Sequence, residues 1–305
     1  MRDPAIRSNR IQCLFALIGA SIVAVCVIVG VTMNLVTLYD ENFDHMGIRT
    51  FCMFTVNSNI LMAVTMCMAI PYTVDGLRRH DFHLPRWAAV AVYAGVTAVM
   101  LTFVISLFVL APFKGFVLIF SGSRFFLHGV CPVLAFISFC FFMSEQRLKF
   151  VDMLITLIPV LIYAVLYYVM VVVVGEENGG WNDFYGFATK IPVWISMALV
   201  MPLTFALSSI IRLFHNRTYD RRRAEEAEFF KATLPGADIR KLVTELAHAR
   251  ASEERLRNIV IPTRVISIML GYKTEPGLEL DEASHIYLKE YLEHSRALKM
   301  ENLWI

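Results

Sequence analysis

Charge is scarce in this chain. Asp, Glu, Lys and Arg make up 18% of its 305 residues, against roughly a quarter in a soluble domain. The net charge is only +2, which offers nucleic acid no basic face to bind. Paired cysteines are also missing. Cys13, Cys26, Cys52, Cys67, Cys131 and Cys140 all lie in apolar runs, without a CxxC spacing or a His-rich neighbourhood. That pattern argues against a disulfide framework and a clustered zinc site, and leaves small buried hydrophobes. No cofactor and no metal are expected. The chain shows no internal repeat and no low-complexity tract.

Apolar length is abundant. Hydrophobic residues reach 57% and mean hydropathy is +0.58. A membrane span needs about 20 mostly apolar residues, and six stretches qualify, roughly 11–38, 51–74, 87–111, 124–144, 150–174 and 191–213. The expected fold is an all-α polytopic membrane protein: a six-helix transmembrane domain over 1–215 and a helical cytoplasmic region over 216–305. The first stretch is too long for the apolar core of a signal peptide and ends without a small-residue cleavage site, so it reads as a retained helix. The stretch Phe116–Phe120 is where a re-entrant deviation is expected.

Lys and Arg alternate between the two sides. Arg2, Arg7 and Arg10 precede the first span. Arg78, Arg79 and Arg86 lie between the second and third, Arg147 and Lys149 between the fourth and fifth, and Arg212, Arg217, Arg221, Arg222 and Arg223 follow the sixth. The other loops hold Arg49, then Lys114 and Arg124, then Lys190. The positive-inside rule places both termini in the cytoplasm of a plasma membrane, in bacteria the inner one. Trp87, Trp181 and Trp194 fall near the interfaces, as an aromatic belt requires.

From Asn216 onward the chain is charged. TYDRRRAEEAEFFKATLPG ends on a Pro–Gly break, and Ile239, Leu242, Val243, Leu246, Leu256 and Ile259 then follow helical spacing until Pro262. Asp281 caps a further helix bearing Ile286, Leu288, Tyr291 and Leu292. The tail has no catalytic or phosphate-binding motif. Self-association or packing is its plain reading, and binding of a cytoplasmic partner the alternative.

Polar groups inside hydrocarbon are costly unless paired, so they mark sites. The second span opens FTVNSNILMAV, with Thr55, Ser58 and Asn59 on one side and Asn57 pointing elsewhere. The fourth opens RFFLHGVCP, placing His128 at a similar depth, about 6 Å below the boundary at about 1.5 Å per residue. A hydroxyl and an imidazole at one level suit a nucleophile and its base. Ser58 or Asn59 suits oxyanion donation. Pro132 withdraws the hydrogen bond from the His128 carbonyl. The loop GGWNDFYGF adds Trp181, Asn182, Asp183 and Tyr185 near the same level, with Asp183 a candidate to orient His128. A plain reading competes throughout: Thr in a membrane helix bonds its own carbonyls, and Ser and Asn hold helices together. Asn34 reads as a packing residue and Asp152 as wetted at the inner interface. His80 and His83 read as parts of a solvated basic loop.

These motifs carry a resemblance. FTVNSN, FFLHGVCP and GWNDFYGF, in that order, resemble a bacterial six-span membrane family with a Thr–x–x–Ser–Asn span, a Leu–His–x–x–x–Pro span and a Gly–Trp outer loop. That family looks distantly related to the androgen-induced protein family of membrane threonine hydrolases, which cleave fatty acid esters of hydroxy fatty acids. The resemblance covers about 10–215. It implies Thr55 as nucleophile and His128 as base. The HGVCP spacing is one residue shorter than in the hydrolases, and Ser58 and Asn59 belong to the bacterial pattern alone.

The expected function is a membrane hydrolase of a lipid-like ester, with membrane lipids around it and Trp181, Asn182, Asp183 and Tyr185 lining the substrate side. A small-solute or proton-coupled transporter, or a sensor, is the second class. It requires polar groups along the whole path, whereas spans two and four are almost wholly apolar beyond Cys67 and Ser138. A protein acting through its tail is the third.

Overall fold

A computed structural model describes residues 4–36, 47–79, 82, 84–186 and 193–233. Among them there is no strand. Among the described residues six helices are long and apolar enough to cross a membrane: Ile11–Val36, Phe54–Arg78, Arg86–Lys114, Gly122–Phe142, Phe150–Val174 and Ala198–Arg222. They are called spans one to six below. Helices are what hydrocarbon permits, since each backbone N–H and C=O finds its partner within the segment. The protein is therefore an all-α, multi-pass membrane protein.

Small residues let the spans approach. Cys13, Ala16, Ala20, Val23 and Val27, spaced by three and four, form the buried stripe of span one. Ile18, Ile22, Val25 and Ile28 on its other side are exposed, where lipid favours them. A Cβ built on Gly19 would lie 1.9 Å from Ser138 Oγ of span four. One on Gly95 of span three would lie 3.1 Å from the Met62 backbone of span two. Span three is the most buried and span five the least, 56% against 11% of their most apolar windows. Span three is thus the central post, and span five shows most of its surface to lipid.

Two expectations change here. Among the described residues the helix of the sixth span runs from Val193 to Thr233, well past position 213. Arg, Ala and Glu after Asn216 are strong helix formers, so the shift in composition does not end the helix. Asp152 is not wetted. It is 3% exposed and takes Arg86 Nη2 on both oxygens at 2.7 and 2.6 Å, plus the Lys149 N–H at 2.6 Å. Burial of a carboxylate requires such pairing. Between spans three and four, Gly115 at φ 98° breaks the helix, and Phe116–Ile119 forms one short helical turn.

All six cysteines are free thiols; Cys13, Cys131 and Cys140 are buried, and Cys67 faces outward. Trp87 is exposed and meets the Tyr72 ring edge-on. The chain divides into two compact units, Met1–Arg221 and Arg222–Ile305. Of the second, 222–233 are described and are helical. The remaining tail, His80, His83, Phe187, Lys190 and the Trp194 side chain lie outside the described residues.

Candidate functional site

Thr55 is the second residue of the helix Phe54–Arg79. It therefore sits at the positive end of the helix dipole, in the turn whose amides have no acceptor within the helix. Asn57 anchors this start, as its Nδ2 donates to the carbonyls of Phe51 at 2.7 Å and Met53 at 3.1 Å. That is the direction away from Thr55 that the helical spacing predicts.

His128 lies in a π-helical turn, Phe125–Val130. Pro132 has no N–H to return to the His128 carbonyl, and the Cys131 N–H reaches back five residues to the Phe126 carbonyl instead. The ring is buried, with Nδ1 3.1 Å from the Ile119 carbonyl. A carbonyl only accepts, so Nδ1 carries the hydrogen, and the neutral ring holds its lone pair on Nε2. Nε2 has no hydrogen-bond partner among the described residues. The short turn Phe116–Ile119 thus sets the tautomer, a task the sequence assigned to Asp183. Asp183 instead accepts the Tyr167 hydroxyl at 2.5 Å.

The loop before span six is held down by backbone contacts. A Cβ on Gly180 would lie 2.2 Å from the Met170 carbonyl oxygen, so only glycine fits. The Gly180 and Trp181 amides donate to Gly175 and Met170. The Trp181 ring packs among Tyr163, Tyr167 and Phe184. Tyr185 is thereby delivered to the start of span two, where its hydroxyl accepts the Phe54 N–H at 3.0 Å. It also interacts with the Thr55 and Tyr163 side chains. Burial pushes the Tyr185 phenol above its ordinary value, and these hydrogen bonds pull the other way. It stays neutral in the physiological range, able to donate as well as accept.

Two cavities meet at this point. The first, about 90 Å³, is mostly apolar and lies among spans two, three, five and six, with Leu101, Ile105, Val160, Ala164 and Val200 on its walls. The second, about 60 Å³, is lined by Asn34, Lys114, Ile119, Arg124 and His128 among others. Thr55, Leu110 and Tyr185 line both. Thr55 and His128 therefore share a cavity, although no direct hydrogen bond joins them. Thr55 instead has Tyr185 beside it.

Ser58 and Asn59 line neither cavity. Asn59 Nδ2 spends both hydrogens, on the Thr55 carbonyl at 2.7 Å and the Leu127 carbonyl at 3.0 Å. No N–H remains for an oxyanion. Asn59 is a staple between the turn that carries Thr55 and the residue before His128. Its Oδ1 is buried without a partner. The Ser58 hydroxyl donates to the Thr55 carbonyl at 3.1 Å and lies 3.1 Å from Thr102 Oγ1, so it is a second staple, to span three. Val56, in the same first turn as Thr55, does line the second cavity. Asn182 is exposed and lines neither.

Several residues at the site were not singled out from sequence. Tyr163 and Tyr167 lie in LIYAVLYYVM, which reads as plain span; their spacing of four, stacking two phenols on one face, was the available signal. Lys114 and Arg124 were read for orientation alone. Asn34 accepts the Ser123 hydroxyl at 2.5 Å, so it does join spans one and four, and it lines the second cavity as well. No protein-family model matches the chain, and neither a curated protein nor a solved structure matches it.

Proposed function

We propose that this protein is a membrane-embedded hydrolase of a lipid-like ester, with Thr55 as nucleophile and His128 as general base. One observation carries the reading: Thr55, at a helix N-terminus, and His128, with its tautomer fixed, line one cavity that meets an apolar one at Thr55 itself.

The chemistry follows from those positions. Thr55 Oγ1 attacks the acyl carbonyl carbon, and its proton passes across the shared cavity to Nε2 of His128. The carbonyl oxygen becomes an oxyanion. The Val56 N–H and the Tyr185 hydroxyl are the donors at hand, with the helix dipole behind them. Collapse breaks the ester C–O bond, and the departing alkoxide takes the proton from His128. Water then attacks the acyl-threonine with His128 again as base, which releases a carboxylic acid and restores Thr55. The apolar cavity suits an acyl chain arriving from the surrounding lipid. The sequence resemblance to threonine hydrolases points the same way.

The regular alternation of Lys and Arg supports a plasma-membrane location with both termini in the cytoplasm. The site is then in the outer half of the bilayer. Reporter fusions after residue 222 test this, and an extracytoplasmic reporter signal there would refute it. The catalytic reading is tested with the purified protein and a long-chain fluorophosphonate, followed by intact mass. One adduct on wild type, absent from Thr55→Ala, is the expected result. Equal labelling of both would overturn it.

A further inference from the structure

We propose that the second cavity is a docking site for the phosphate of a glycerophospholipid, held by Arg124 and Lys114. This goes beyond the hydrolase reading and does not need Thr55 to be reactive.

The placement of the two cations is the first argument. Lys114 is the last residue of span three and Arg124 the third of span four. Consecutive spans run in opposite directions, so both lie at the same membrane boundary. At about 1.5 Å per residue, Arg124 is only about 3 Å inside the start of its span. That is the level at which a bilayer carries its phosphates, and Arg and Lys pair with phosphate oxygens through charge-assisted hydrogen bonds.

The lining is the second argument. Lys114 is exposed, Arg124 half-buried and His128 buried, so the cationic groups sit toward the mouth with the imidazole below. Arg offers a planar fork to two phosphate oxygens, and Lys a mobile point charge.

The surroundings identify the carrier of the phosphate. Phe113, Phe116 and Val117, next to Lys114 in the chain, are 86%, 58% and 83% exposed. Large apolar side chains at a membrane boundary present a surface for acyl chains. A free aqueous anion has no use for them, whereas a phospholipid with its head group on Arg124 and Lys114 lays its chains along them.

The test uses the full chain purified in a neutral detergent, with native mass spectrometry reading lipid retention. The probes are dioleoyl phosphatidylglycerol, dioleoylglycerol, which lacks the phosphate, and oleate, with inorganic phosphate as competitor. Phosphatidylglycerol is expected to be retained about tenfold more than dioleoylglycerol, the worth of one charge-assisted hydrogen bond. Lys114→Gln and Arg124→Gln should each lower retention by a similar factor. Arg124→Lys should restore most of it, and Arg147→Gln, at the opposite membrane boundary, should change nothing. Equal retention of dioleoylglycerol, or wild-type retention by the Lys114→Gln, Arg124→Gln double variant, would overturn the proposal. Preference for oleate would make the site a carboxylate site. Displacement of the lipid by millimolar inorganic phosphate would make it a site for the free anion. Either result also overturns it.

Discussion

Two buried histidines lie near opposite membrane boundaries, and they are held in opposite ways. His215, late in span six, has Nδ1 3.3 Å from the Phe139 carbonyl and Nε2 3.0 Å from the Gln146 carbonyl. Carbonyls only accept, so a doubly protonated ring makes both bonds and a neutral ring makes one. The Phe139 ring stacks on it, with centroids 4.5 Å apart. Asn216 beside it clamps Leu148 through both N–H and C=O, and Arg86 closes on Asp152 nearby in the same layer. Every polar atom of this ring is spent on holding the connection between spans four and five. His128 spends one nitrogen and keeps the other, next to a cavity. Burial of a titratable ring is therefore not itself a sign of chemistry; the unspent nitrogen is.

The comparison can be broken in graded steps. Thr55→Ala should abolish the fluorophosphonate adduct, while Thr55→Ser, which keeps the hydroxyl, retains it; intact mass reads both. His128→Gln should slow labelling by roughly 10²- to 10⁴-fold, the range for loss of a general base. It should hardly move the thermal midpoint, because a single hydrogen bond worth about 1 kcal/mol is lost. His215→Leu should show the reverse. Two carbonyls lose their donor, at a cost of about 3 kcal/mol in thermal unfolding, and the folded fraction labels at the wild-type rate. If His215→Leu slows labelling as much as His128→Gln does, the two rings are not separate in role and the contrast fails. Asn182→Ala should be nearly silent, within about 0.5 kcal/mol in stability and unchanged in labelling rate, since its side chain faces solvent away from both cavities.

The helices were legible because hydrocarbon imposes a length and an apolar composition that any reader of the chain can see. Ile11–Val36 and Phe150–Val174 fall close to their expected limits for that reason. That Thr55 and His128 could come to one cavity was also legible, from the antiparallel alternation of spans and the position of each residue in its own. Hydrogen bonding was less accessible. That Asn59 uses both hydrogens on carbonyls, one of them Leu127 on another span, depends on which helix faces which, and sequence spacing carries no such information. The acceptor for His128 is a backbone carbonyl, and a carbonyl at position 119 looks like any other in sequence. Asp183 was a natural candidate for that role because a carboxylate announces itself; Tyr167, hidden among apolar neighbours, proved to be its partner. Asp152 was misplaced for a related reason. Its charge suggested water, and the sequence did not show that Arg86, 66 residues earlier, closes over it.

The π turn that carries His128 has a consequence for how this chain can vary. Such a turn takes in one residue more than the α-helix on either side of it. Losing one residue from an α-helical stretch would swing everything beyond it through about 100°, turning lipid-facing side chains inward. Losing one from 125–130 would rewind the turn and leave the helix beyond Pro132 facing as it does now. The segment works like an expansion joint in a rail: a part of span four where length can change while the track on both sides stays aligned.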